Sequence, residues 1–256
     1  MGAQWEESQR EAAEHAAGSG WERPAPGVLR RRLPHWDATV GAVEGSDGLL
    51  VIDTGSSLRE GVEIRRELWE LTGLPVRHVA LTHPHFDHVL GTAAFAGVEV
   101  YAAEGAATLL GGSWHREVLR GDAVGHGLDP GTADEALDVL VLPAHPVARE
   151  LPLGLGGERA VLLVNAGPGH SAHDLAVLVP GEGDVPPVVF CGDLVEESGE
   201  PQAGPDARPG FWPAALDRLL ELGGEDAVYV PGHGALVDAD FVRAQRDELA
   251  RRFGTG

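Results

Sequence analysis

Lysine is missing from this chain: all 19 basic residues are arginine, set against 40 carboxylates, for a formal charge of −21 over 256 residues. No lysine nucleophile, Schiff base or flexible anion clamp is therefore available. The scarcity of positive charge also speaks against nucleic acid and anionic membrane surfaces as partners, since neutralising phosphates takes clustered cations. Cysteine occurs once, at Cys191, so no intrachain disulfide can form, in keeping with a reducing compartment. No stretch approaches the roughly 20 apolar residues of a membrane span, and residues 1–20 lack the apolar core of an export signal. The expectation is a cytoplasmic protein. There is no G-x-G-x-x-G, no phosphate loop and no G-x-S-x-G elbow, which removes the usual dinucleotide, nucleotide and serine-hydrolase signatures.

The length suits one large domain. Residues 1–20, with Glu6, Glu7, Glu11 and Glu14 among alanines, read as an N-terminal arm, helical or unordered, and residues 21–256 as a single domain. The patterning predicts an edge strand over 28–33, a hairpin from 39–43 and 49–52, a helix over 58–71 ending near Gly73, and a buried strand over 76–81. A helical stretch over 90–95, a strand over 98–101 and a helix over 104–110 follow. Residues 111–130 are Gly-rich and read as a loop. Strands are expected at 160–164, 175–179, 188–191 and 227–230, helices at 212–222 and 238–252, and irregular chain over 196–209. Strands mixed with helices imply a layered α/β architecture.

What the chain does have is a dense run, Thr82-His83-Pro84-His85-Phe86-Asp87-His88, directly after an apolar strand. Three imidazoles and a carboxylate in six positions are costly unless they bind something, and imidazole with carboxylate suits a divalent ion such as zinc. His83 and His85 share a parity, so an extended segment turns both toward one ion, whereas Asp87 and His88 require a turn and can reach a second. Asp53, His170, Asp193 and His233 each follow an apolar strand beside a glycine. Such strand ends could meet at one sheet edge, and an aspartate's two oxygens suit a bridging position.

The pattern His83-x-His85-x-Asp87-His88, followed in order by His170, Asp193 and His233, resembles the metallo-β-lactamase fold superfamily. That resemblance implies an αββα sandwich of two mixed β-sheets with helices on both outer faces and metals at one sheet edge. It assigns His83, His85 and His170 to one zinc, and Asp87, His88 and His233 to a second, with Asp193 bridging. It gives Asp53 the task of supporting a ligand histidine from behind, although an Ile-Asp-Thr-Gly turn also arises for local reasons. His173, His115 and Trp114 are candidates for the substrate pocket. His15, His35, His78, His126 and His145 read as structural or solvated, and Cys191 as an inert core residue.

The implied activity is that of a dinuclear zinc hydrolase, two Zn2+ per chain, in which a metal-bridging hydroxide oriented by Asp87 attacks the carbonyl of a small ester, thioester, lactone or lactam. The glyoxalase II branch usually clamps its substrate with basic groups, for which Arg243, Arg246, Arg251 and Arg252 are the substitutes available here. Asp193 excludes the β-lactamases that carry cysteine in that block. Lactonases often place a tyrosine at the metals, and Tyr101 and Tyr229 lie inside strand patterns. The alternative from another class is a mononuclear iron persulfide dioxygenase on the same fold.

Overall fold

A computed structural model describes residues 20–254. The arm expected over 1–20 lies, apart from Gly20, outside the described residues. Among the described residues twelve strands form two sheets. The first, in spatial order, comprises β1 (Trp21–Ala25), β2 (Val28–Arg32), β3 (Thr39–Glu44), β4 (Leu49–Ile52), β5 (Val76–Ala80), β6 (Glu99–Ala103) and β7 (His145–Val147). It is an antiparallel meander as far as β4 and parallel from β4 onward. The second runs from β8 (Glu150–Gly154) through β9 (Ala160–Asn165), β10 (Leu175–Val179) and β11 (Val188–Glu196) to β12 (Val228–His233). Only its β11–β12 pair is parallel.

Strand β4, Leu-Leu-Val-Ile, is buried throughout because both faces of its sheet are covered. Leu50 and Ile52 point into the layer between the sheets with Leu163, Val177 and Phe190, whereas Leu49 and Val51 face the first helical layer. That layer contains α1 (Leu58–Thr72), α2 (Phe86–Val89), α3 (Ala106–Gly111), α4 (Ser113–Gly125) and α5 (Pro130–Asp138). Helices α6 (Trp212–Gly223) and α7 (Ala239–Phe253) cover the second sheet. The result is the expected αββα sandwich of two mixed sheets. Local signals agree with it: the Ser57 side chain caps α1 by accepting the Glu60 amide, and Gly73, at φ 67°, ends that helix.

Three expectations need correction. Residues 111–130 are largely helix rather than loop, because His115, Leu119 and Ala123 recur every fourth residue and bury one face of α4 despite the glycines around it. The strand at Val28–Arg32 is not an edge, since β1 lies outside it. In place of a helix over 90–95 the chain forms a 3-10 turn at Thr92–Phe95, after the short α2.

Candidate metal centre

The ends of β4, β5, β9, β11 and β12 bring polar side chains to one rim of the sandwich. Sheet-to-sheet bonds fix the rim: the Leu175 amide donates to the Thr82 carbonyl (2.7 Å), and the buried Arg30 guanidinium donates to the carbonyl of Gly234 (2.9 Å). Strand β11 bulges at Gly192, whose φ of 54° and contact with Thr82 leave no room for a side chain. At Gly232 a Cβ would lie 1.9 Å from Asp193 Oδ1, so the β12 backbone packs directly against that carboxylate.

Every imidazole of the cluster has its outer nitrogen engaged. His85 Nε2 meets Asp206 Oδ2 (3.0 Å), His88 Nδ1 meets Asp53 Oδ2 (2.8 Å), His170 Nδ1 meets the Gln202 carbonyl (3.1 Å) and His233 Nδ1 meets the Trp36 carbonyl (2.8 Å). Carboxylates and carbonyls only accept, so each of these nitrogens carries the proton and donates it. Thr82 Oγ1 donates to Asp53 Oδ2 (2.7 Å), so it is the acceptor for His83 Nδ1–H (3.0 Å). With the outward N–H groups so committed, the nitrogen each ring can offer a cation is the inward one: His83 Nε2, His85 Nδ1, His88 Nε2, His170 Nε2 and His233 Nε2.

Those inward atoms surround Asp193. Its Oδ2 lies 3.6 Å from His83 Nε2, 3.4 Å from His170 Nε2 and 3.3 Å from His233 Nε2, and its Oδ1 lies 3.2 Å from His88 Nε2. His85 Nδ1 is 2.9 Å from His170 Nε2. Asp87 Oδ2 is 3.4 Å from His233 Nε2 and 3.6 Å from His88 Nε2. The donors divide into His83, His85, His170 and Asp193 on one side and Asp87, His88 and His233 on the other. A tetrahedral ion with bonds of about 2.0–2.1 Å holds its ligands about 3.3 Å apart, which matches these separations. His83 Nε2, His88 Nε2 and Asp193 Oδ1 are buried without a hydrogen-bond partner. The donor set therefore fits two cations.

The electrostatics do not divide along the same line, because the bond to Asp206 raises His85 of the first group against burial. Burial pushes His83 well below the usual histidine range and takes His170 down to about 4, so both present neutral nitrogens. For His233 burial works in the same direction, but Asp193 and Asp87 outweigh it and bring the ring up to about 12. His88 is raised by the same two carboxylates together with Asp53, again against burial. Burial would raise Asp193, yet His233, His88, His83 and His170 hold it well below the ordinary carboxylate range. Burial also opposes ionisation of Asp206, but its bond to His85 brings it down to about 2.

Asp53 sits at φ 60°, left-handed backbone for a residue with a side chain. Its Oδ1 accepts the Thr82 amide (2.8 Å) while Oδ2 takes Thr82 Oγ1–H and His88 Nδ1–H, so it ties β4 to the whole histidine run. The other sequence candidates lie outside the two clusters. Trp114 is 72 % exposed on the first turn of α4, and His115 is buried beneath it. His173 Nδ1–H donates to the Glu104 carbonyl (2.8 Å). Sequence reasoning missed Asp206, Gln202 and Trp36. Nothing in their local sequence marks them, because each contributes from a loop that folding alone brings to the rim.

Asp174 lies just behind the rim and accepts the Ser171 amide and hydroxyl. Burial raises its carboxyl to about 7. A folded-state pKa above the unfolded value stabilises the fold fully below about pH 3.9, and that contribution is lost as pH rises through 7. Asp174→Asn should therefore gain stability relative to the parent between pH 5 and pH 8, by ~2–3 kcal/mol for a shift of this size. Urea unfolding at both pH values tests this. A stability difference that does not change with pH contradicts it.

Comparison with known proteins agrees with this geometry. The family model described as metallo-beta-lactamase superfamily matches residues 34–233. Among solved structures, the metallo-β-lactamase FIM-1 from Pseudomonas aeruginosa, in its mono-zinc form, superposes with a TM-score of 0.67 at 21 % identity, covering 92 % of this chain and 96 % of that one. A metallo-β-lactamase from Pontibacter korlensis gives 0.66 at 21 % identity, covering 90 % and 97 %. A linear primary-alkylsulfatase from a Pseudomonas species is 32 % identical over 57 residues, 22 % of this chain and 11 % of that protein. The matched part is thus about a tenth of that relative's length.

Proposed function

The chain belongs to the metallo-β-lactamase superfamily and is a metal-dependent hydrolase of that fold, and from this premise we propose that it works with two zinc ions on the acyl group of a small ester, thioester, lactone or lactam. The observation that carries this reading is the division of inward-facing donors into two groups that meet at Asp193. His83, His85 and His170 would hold the first ion, Asp87, His88 and His233 the second, and Asp193 would lie between them. The nitrogen and oxygen donor set supports zinc, as does the mono-zinc form of FIM-1.

Bound there, the two ions would polarise the scissile carbonyl and lower the pKa of water toward neutrality. The protein's own groups do the rest. Asp53 and Asp206 fix the rings of His88 and His85 through their outer N–H groups, so the ligands are oriented before anything binds. Asp87 would help hold the second ion and orient the attacking water. Trp212 lies edge-on to His170, with ring centroids 5.5 Å apart, and closes the floor of the site on that side.

The surroundings narrow the substrate. Arg243 pairs with Glu225 and Asp240, Arg246 pairs with Asp217 and Asp247, and Arg252 donates to the Pro201 carbonyl. Those side chains are committed elsewhere, which favours a substrate that needs no basic clamp over a glutathione thioester. The Tyr229 hydroxyl donates to the Gly224 carbonyl, and the Tyr101 ring stacks on His145, which favours no tyrosine-assisted lactonase chemistry. We place residues 21–256 in one catalytic domain that acts on a small molecule in the cytoplasm. Among the described residues no helix is long and apolar enough to cross a membrane.

The test is metal quantification on the purified protein followed by a panel of chromogenic esters, thioesters, lactones, β-lactams and alkyl sulfates. Two zinc ions per chain and turnover of an acyl substrate are expected, with His85→Ala lowering the rate by roughly 10²–10³-fold. One iron per chain with oxygen uptake on a persulfide would replace this reading with the dioxygenase. Turnover of the alkyl sulfate alone would reassign the substrate class.

A further inference from the structure

The loop between β2 and β3 carries none of the seven candidate ligands, yet it touches both chain segments that supply the second cluster. Its central residue is Trp36. The Trp36 carbonyl accepts His233 Nδ1–H at 2.8 Å. Its indole Nε1–H donates to the carbonyl of His126, at the end of α4, at 3.3 Å. Its ring meets Phe86 edge-on, with centroids 5.4 Å apart and planes at 89°. Phe86 directly precedes Asp87 and His88, and it also stacks on the His126 ring at 5.5 Å. One half-buried tryptophan therefore bears on His233 through its backbone and on the segment of Asp87 and His88 through its ring.

The loop is held in a shape that side chains seldom tolerate. His35 and Asp37, on either side of Trp36, have φ of 79° and 63°. Asp37 is fixed by the Arg32 guanidinium, with Nε to Oδ1 at 2.6 Å, and Ala38 forms a β-bridge with His233 itself. The Leu33 amide closes the loop on the Ala38 carbonyl at 2.8 Å. In the first cluster His83, His85 and His170 rest on Thr82, Asp206 and Gln202, and of these only His85, which precedes Phe86 in the chain, adjoins the clasp.

We infer that Trp36 is a positioning residue for the second cation alone: by clasping Phe86 and the His233 ring together it sets the affinity of the Asp87, His88 and His233 cluster while leaving the His83, His85 and His170 cluster unaffected. This rests on the two-ion reading above. A generic contribution of Trp36 to packing would weaken both ions alike or neither, so the separation of the two steps is what the assignment demands.

The test is stepwise zinc binding to the metal-free full chain, measured by competition with a chromophoric chelator, for the parent, Trp36→Ala and Trp36→Phe. Cobalt(II) spectra and thermal unfolding are recorded in parallel. Trp36→Ala should weaken the second step by about 10- to 100-fold, the scale seen when a group supporting a ligand is lost. The first step should stay within about threefold, inside the range of a single hydrogen bond. Trp36→Phe keeps a ring against Phe86 and loses only the N–H, so its second step should fall by roughly two- to tenfold. The cobalt band belonging to the second ion should shift or fail to develop in Trp36→Ala while the first is kept.

Equal weakening of both steps, or no change in either, would overturn the assignment while leaving the two-ion reading intact. If Trp36→Ala does not fold, Trp36→Phe decides, and a second step equal to the parent's overturns it. A parent protein that binds a single ion would defeat the two-ion reading itself, and this assignment with it.

Discussion

Asp193→Ala is expected to yield a folded protein that retains at most one tightly held ion and turns over substrate roughly 10²–10³-fold more slowly, the scale of removing a group that stabilises charge in a preorganised site. The fold should survive because the neighbours of Asp193 in β11 anchor the strand independently. Phe190 packs between the sheets, and Cys191, Leu194 and Val195 pack under α6 and α7. Metal binding should suffer because this one carboxylate faces four inward imidazole nitrogens at 3.2–3.6 Å. Without it, the four buried rings have no shared anion to offset the charge of a second cation. Circular dichroism would show the fold, and zinc analysis with steady-state rates would show the rest. Full occupancy and parental rates in the mutant contradict a shared role for Asp193.

Asp53→Ala should damage folding more than any ligand substitution. The Thr82 amide, Thr82 Oγ1–H and His88 Nδ1–H all lose their acceptor in a buried setting. Each stranded donor costs about 1–3 kcal/mol, and alanine at φ 60° adds a backbone penalty that aspartate tolerates better. The total is on the order of 5 kcal/mol, comparable with the whole stability of many domains. Asp53→Asn tolerates the same backbone shape but presents only one carbonyl oxygen, so it should fold with lowered stability and bind the second ion about 10- to 100-fold more weakly. Denaturant unfolding of both variants, with zinc titration of the asparagine form, checks the prediction. Parental stability in Asp53→Ala would show that these three donors do not depend on it.

The central strands could be read from sequence because burial on both faces makes their patterns continuous. Leu175–Val179 and Leu49–Ile52 fall where the apolar runs lie. The strands that escaped notice share a cause. Trp21–Ala25, His145–Val147 and Glu150–Gly154 are all sheet edges, and each contains a proline. Proline is tolerated where a backbone donor can face outward, so these segments carry a turn-like composition. Gly192 misled in the opposite way: it suggested the end of a strand, whereas β11 bulges there and continues to Glu196.

At the site, the histidine run and the isolated His170, Asp193 and His233 were visible because ligand chemistry constrains residue type. The groups behind them were not. His85 leans on Asp206, 121 residues away, and His233 leans on the carbonyl of Trp36, 197 residues away. A main-chain carbonyl has no residue signature, and a lone aspartate in a Pro- and Gly-rich loop has no spacing to betray it. Only the fold brings them to the rim. His115, a pocket candidate by its Gly-rich context, lies on the buried face of α4, close to the Pro84 backbone within the histidine run.

Five inward imidazole nitrogens and two carboxylates are proposed to hold a pair of ions. The most direct measurement is anomalous diffraction at the zinc edge from crystals grown with zinc. Two peaks about 3.5–4 Å apart are expected on opposite sides of the Asp193 carboxylate. One should lie about 2.0–2.2 Å from His83 Nε2, His85 Nδ1 and His170 Nε2, and the other at the same distance from Asp87, His88 Nε2 and His233 Nε2. A single peak, or peaks placed away from these atoms, would contradict it.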